Sequence, residues 1–102
     1  MVKLSILFPI PAQPDVFEER FSNQFLPQAE QLPGLRRTEV TRILGAPGTT
    51  ERGYYLEYEW YFDDLETLEA AMTSPAGQQL ARQVETFGRD QVILFYGEVY
   101  ES

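Results

Sequence analysis

The run Tyr54-Tyr55-Leu56-Glu57-Tyr58-Glu59-Trp60-Tyr61-Phe62 leaves this chain few ways to fold. Successive strand residues point to opposite faces, so the run divides cleanly as a strand. Leu56, Tyr58, Trp60 and Phe62 share one face, wholly apolar or aromatic, while Tyr55, Glu57, Glu59 and Tyr61 share the other. The first face has to be covered. Phe62 leads directly into Leu65 and Leu68, the start of an apolar helical stripe, so helices are expected on that side.

The rest of the chain supplies the partners. Val2 to Phe8 is an apolar run broken only by Lys3 and Ser5, and reads as a largely buried strand. Pro9, Pro11 and Pro14 stop it, since proline has no amide to donate. Asp15 with Glu18 has capping-box spacing and is expected to open a helix whose apolar face is Phe17, Phe21, Phe25, Ala29 and Leu32. Pro27 falls inside that pattern and predicts a kink or a break; Pro33-Gly34 ends it. Leu35 to Leu44, rich in Arg and Thr, reads as an edge strand, and Gly45 to Gly53 as a hairpin loop. After the aromatic strand, Asp63 and Glu66 repeat the capping spacing before the Leu65, Leu68, Ala71, Met72 stripe. Ser74-Pro75 starts a further helical piece carrying Leu80, Val84 and Phe87, with Gly88 as its stop. Gln91 to Tyr100 is the last strand.

That order is β-α-β-β-α-β: an α+β, ferredoxin-like sandwich with a four-stranded antiparallel sheet and helices on one face. With 102 residues it is expected to be one domain spanning 1–102. The last strand is apolar both ways, with Val92, Leu94 and Tyr96 on one side and Ile93, Phe95 and Val99 on the other. Helices cover only one face of such a sheet, and large apolar residues on the other would form an aggregation-prone patch. A homodimer pairing sheet to sheet, enclosing a cavity, is therefore expected.

Eight basic and sixteen acidic residues give a net charge of −8, which repels phosphate backbones and anionic lipid. No nucleic-acid or membrane partner is expected, and no run reaches the ~18 apolar residues of a bilayer span. The proline-broken start does not resemble a signal peptide, so a cytoplasmic location is expected. Without cysteine there are no disulfides or thiolate nucleophiles, and without histidine the commonest general base and metal ligand are gone. No metal site and no cofactor are expected.

Among the remaining groups Glu57 and Glu59 stand out. A carboxylate in a poorly solvated cavity acquires a raised pKa and can act as general acid or base, with Tyr61 orienting a substrate. The plainer reading pairs each with an arginine such as Arg37 or leaves it at a wet rim. Arg37 suits a substrate carboxylate, but consecutive arginines more often meet local acids such as Glu39. Tyr55 and Phe25 are candidate pocket walls, Phe25 being expected to be only partly buried; ordinary packing is the plainer reading of both. Arg52-Gly53-Tyr54 echoes the opening of the RNP1 motif of RNA-recognition domains. The match fails at Tyr55, and Glu57 and Glu59 oppose phosphate.

Several stretches, in order and spacing, resemble the EthD family of the dimeric α+β barrel superfamily. They are Val2-Lys3-Leu4, Phe25-Leu26-Pro27, Leu32-Pro33-Gly34-Leu35-Arg36-Arg37, Arg42-Ile43-Leu44-Gly45-Ala46-Pro47-Gly48, Tyr61-Phe62-Asp63-Asp64-Leu65-Glu66, Ser74-Pro75-Ala76-Gly77 and Tyr96-Gly97-Glu98-Val99. The resemblance implies a ferredoxin-like dimer with a ligand-sized cavity beneath each sheet. Members and cousins are linked to breakdown of ethers and aromatic compounds, lactone isomerisation, cofactor-free oxygenation or haem chemistry. The family often carries histidine two residues before the helix proline; here that position is Phe25, which removes the acid/base candidate the resemblance would supply. The expected function is binding of a small hydrophobic or aromatic metabolite, as an accessory to a degradation pathway. The alternative is a cofactor-independent isomerase, hydrolase or oxygenase using Glu57 or Glu59.

Overall fold

The structure, a computed structural model, describes residues 1–51, 53–88 and 91–100. The aromatic run forms β3 (Tyr54–Phe62), flanked by β1 (Val2–Pro9) and β2 (Arg37–Arg42), and β4 (Ile93–Glu98) pairs with the far side of β1. The order β2-β3-β1-β4 is antiparallel throughout. β2 is an edge, as its polarity predicts, and β4 is the other edge. Both are shorter than the sequence reading: β2 starts two residues later than Leu35, and β4 leaves Gln91, Val92, Val99 and Tyr100 outside the strand. Val99 still donates a backbone hydrogen bond to Met1 at 3.0 Å. The β2–β3 loop is closed by a bridge between Ala46 and Thr49; Arg52, part of the RNP1-like echo, lies outside the described residues.

The helical layer covers the face carrying Leu56, Tyr58, Trp60 and Phe62, all buried, together with Leu4, Ile6 and Phe8 of β1. Phe8 is the hub, meeting Phe17, Phe21, Phe25 and Phe87 edge to face at centroid distances of 5.4–6.0 Å. Edge-to-face contact sets a positive ring edge against a negative face, and burial of each ring contributes roughly 1.5–3 kcal/mol. The helix-side assignment of β3 is therefore correct.

The first helical stretch starts two residues earlier than the capping signal suggests. α1 (Pro14–Arg20) has Pro14 at its first turn and Gln13 as a cap without a side-chain hydrogen bond. Proline's fixed φ presets the helix start, so Asp15 sits inside the first turn, and Glu18 reaches Arg42 and Tyr55 instead of back to the cap. Pro27 neither divides the helix nor forces it to end. A π-helical turn (Phe21–Phe25) precedes α2 (Leu26–Ala29), and Leu26 donates to the carbonyl of Phe21. The wider turn relieves the clash between the proline ring and the preceding carbonyls, so the apolar face continues through Ala29.

α3 (Leu65–Thr73) is capped by Asp64, whose carboxylate accepts from the Thr67 amide at 2.8 Å. Asp63, the expected cap, takes a forked contact from Arg36 at 2.7–3.0 Å. α4 (Pro75–Glu85) begins as the sequence suggests: Ser74 accepts from Gly77 at 3.1 Å, and Pro75 occupies the first helical position. Among the described residues, no helix is long and apolar enough to cross a membrane.

Candidate functional site

Strand register assembles the outer face of the sheet in rows. Arg37, Tyr61, Lys3 and Gly97 form one row; Glu39, Glu59, Ser5 and Phe95 the next; Thr41, Glu57, Leu7 and Ile93 the third. Glu57, Glu59, Tyr61 and Arg37, chosen from the sequence, are thus brought together. Lys3 and Ser5 belong with them, beyond the expected set. The signal was available, because Lys3, Ser5 and Leu7 alternate with the buried Leu4, Ile6 and Phe8, but it is easily passed over in a run that looks wholly apolar.

The polar half of this face is an interlocked network. Lys3 pairs with Glu59, whose residue is only 7% exposed. The Tyr61 hydroxyl donates to Glu39 at 2.5 Å and lies 3.5 Å from Glu59. Arg37 lies over the Tyr61 ring, 3.7 Å from its centroid, and pairs with Glu39 at 3.1 Å. Arg37 thus meets a local acid, Glu39, and the partner of Glu59 is Lys3 rather than an arginine. These contacts act on protonation. Hydrogen bonds from Tyr61 and Arg37 hold the Glu39 carboxyl below its ordinary value. Burial, reinforced by the bond to Glu39, pushes Tyr61 up to about 12. Tyr61 therefore stays a phenol at neutral pH, with its proton committed to Glu39 and its oxygen left to accept.

Glu57 differs from its neighbours. It is half-buried and, among the described residues, makes no hydrogen bond or ion pair. Burial raises its pKa, and the adjacent Glu59 raises it further. Ser5 is fully buried and its hydroxyl has no hydrogen-bond partner among the described groups. Among the described residues no three acidic side chains converge as a set that could hold a metal ion.

The two remaining candidates lie on the other side of the sheet. The register slips between Phe8 and Pro9, so that Phe8 faces Leu56 while Pro9 faces Tyr54. Such a bulge re-aims the extra residue. Tyr55 accordingly leaves the row of Glu57 and Glu59, packs on Phe17 at 5.3 Å and donates to Glu18 at 2.7 Å. Phe25 is fully buried rather than partly, since the π-helical turn keeps it on the core face, where it stacks on Trp60 with centroids 6.1 Å apart.

The β4 edge adds an apolar hollow. Leu94 and Tyr96 point to the helix side, opposite Ile6 and Leu4, yet remain half exposed at 50% and 52%, with α3 approaching them only at its margin through Met72. Phe95, on the outer face, is 44% exposed. Leu4, Met72, Leu94, Phe95 and Tyr96 line an open cavity of about 340 Å³ around this edge. It is large enough for a small aromatic molecule and offers mainly apolar contact.

A four-stranded antiparallel sheet with helices on one face and a half-buried charged array on the other defines a ferredoxin-like α+β protein. Residues 11–89 match the EthD domain, and the chain belongs to the EthD family. It is similar to the crystal structure of an EthD family protein from Bacillus halodurans, with 35% identity and a TM-score of 0.91 over 98% of this chain and 99% of that one. It also resembles an uncharacterised 11.0 kDa protein of the thcB-thcC intergenic region of Rhodococcus erythropolis, 27% identical over 94% of this chain and 92% of the relative. A dimeric ferredoxin-like protein of unknown function from Jannaschia sp. shares the fold at 17% identity and a TM-score of 0.71, over 97% of this chain and all of that one.

Proposed function

We propose that this protein is a cytoplasmic homodimer, paired through the outer face of its sheet, that binds a small uncharged hydrophobic or aromatic metabolite as an accessory to a degradation pathway. The observation carrying this reading is the cavity of about 340 Å³ at the β4 edge, walled by Leu4, Met72, Leu94, Phe95 and Tyr96. Mostly apolar walls favour a ligand held by burial, with its orientation set by few polar contacts. The strand that walls the cavity also carries Ile93 and Phe95 to the sheet-pairing face, so ligand site and dimer contact adjoin.

Native mass spectrometry tests both halves, with binding of the uncharged fluorophore N-phenylnaphthylamine as the solution readout. The expected result is a dimer that takes up the probe. Leu94→Trp fills the hollow and should weaken uptake about tenfold or more without unfolding the chain. Unchanged uptake in that variant would place the ligand elsewhere.

A catalytic reading draws on one feature, the half-buried Glu57 carboxyl, unpaired among the described residues. Such a group suits the acid/base step of a cofactor-independent isomerase, hydrolase or oxygenase, with Glu59 as its charged neighbour and Tyr61 orienting the substrate. Loss of turnover in Glu57→Gln, with probe binding retained, would support it; full turnover in that variant would refute it.

A further inference from the structure

The outer face has an unbalanced charge inventory. Among the described residues Glu39, Glu57 and Glu59 face outward with Lys3 and Arg37, leaving one carboxylate in excess. Both cations are engaged, Lys3 with Glu59 and Arg37 with Glu39. Glu57 has Glu59 and then Tyr61 along its own strand, Thr41 and Glu39 on β2, Leu7, Ser5 and the engaged Lys3 on β1, and Ile93 and Phe95 beyond. The helices pack on the opposite face. Other described cations are placed away from it: Arg36 meets Asp63, Arg42 meets Glu18, Arg20 lies over Phe87, Arg82 is on α4, and the amino terminus acts on Asp63 and Asp64.

A two-fold interface presents each copy with the same inventory it already has. However the ion pairs are exchanged across it, the three carboxylates and two cations that each copy's described residues present leave one carboxylate without a counter-charge. A lone ionised carboxylate in a dehydrated interface is strongly disfavoured, whereas its neutral form can donate a hydrogen bond. We propose that pairing of two copies through this face takes up protons, with Glu57 as the group that receives them. Dimer affinity is then set by pH, tightening as the solution is acidified. The inference rests on the sheet-face dimer proposed above, and its failure is separable from the failure of that dimer.

Sedimentation equilibrium from about pH 8 down to about pH 5.5 reads the linkage directly, because the slope of log Kd against pH counts the protons exchanged. High salt screens the general repulsion between two acidic chains. Uptake of one proton per pair tightens the dimer up to about tenfold per pH unit, and of two up to about a hundredfold. Glu57→Gln, an isosteric neutral mimic, should dimerise at pH 8 about as well as the parent does at low pH and lose most of the slope. Glu66→Gln, an exposed acid on α3, should keep the parental slope. A parental dimer with no pH slope, or an unchanged slope in Glu57→Gln, overturns the inference while leaving the dimer. Monomers at every pH overturn the dimer itself.

Discussion

Phe25 is held by five aromatic neighbours (Phe8, Phe21, Tyr58, Trp60 and Phe87), so its truncation should leave a cavity that the rings around it cannot close. Phe25→Ala is expected to lower unfolding free energy by about 3–5 kcal/mol in denaturant titration; a loss below about 1 kcal/mol would contradict its core placement. At Glu57 the readout is protonation. Carboxyl-resolved NMR should find it titrating above the ordinary ~4.3 of glutamate, and a value at or below that would remove the catalytic reading. The sign of its linkage follows. A folded-state pKa raised by burial means the native chain binds more protons, so this group's contribution to stability is fullest at low pH and falls as pH rises through the folded value. Strand alternation made Glu57, Glu59 and Tyr61 legible in the sequence as one face. It could not reveal that Lys3, rather than an arginine, neutralises Glu59, because that choice depends on which strand lies alongside.

Two local irregularities decide what the elements present. The π-helical turn at Phe21–Phe25 lets a helix carry Pro27 without losing its apolar face, and the bulge opposite Pro9 turns Tyr55 toward α1. Neither is written in periodicity. A proline predicts a disturbance but not whether it becomes a kink, a break or a widened turn, and a bulge depends on the partner strand as much as on its own residues. The α3–α4 junction is better determined by sequence, since Ser74-Pro75 is a strong start signal. Its close approach rests on Gly77, where an added Cβ would meet the backbone carbonyls of Ala71 and Met72, the latter at 2.7 Å. Backbone atoms cannot step aside as a flexible side chain can. Gly77→Ala should therefore destabilise by roughly 1–3 kcal/mol despite alanine's better helix propensity, a prediction checked by thermal unfolding. A stabilised variant would show that the two helices can separate at no cost.

For the whole molecule, the pattern of apolar faces was enough to read the layer arrangement: β3 could have only one helix-covered face, and the helices follow it in sequence. The location of the apolar hollow was not legible, because it arises from how far α3 reaches across the sheet, leaving Leu94 and Tyr96 only half covered on the same side as the core. The proposed dimer places a second copy on the opposite face, which bears Phe95, Ile93 and the Glu59–Lys3 pair. An interface of that kind dissociates when a charge is placed in its apolar part, because the charge is left unpaired against a dehydrated surface. The direct test is sedimentation equilibrium of the parent chain and of Phe95→Asp at micromolar concentration, with circular dichroism of both. The expected result is a dimeric parent and a folded, monomeric variant. A folded monomeric parent, or a variant that remains dimeric, would contradict it.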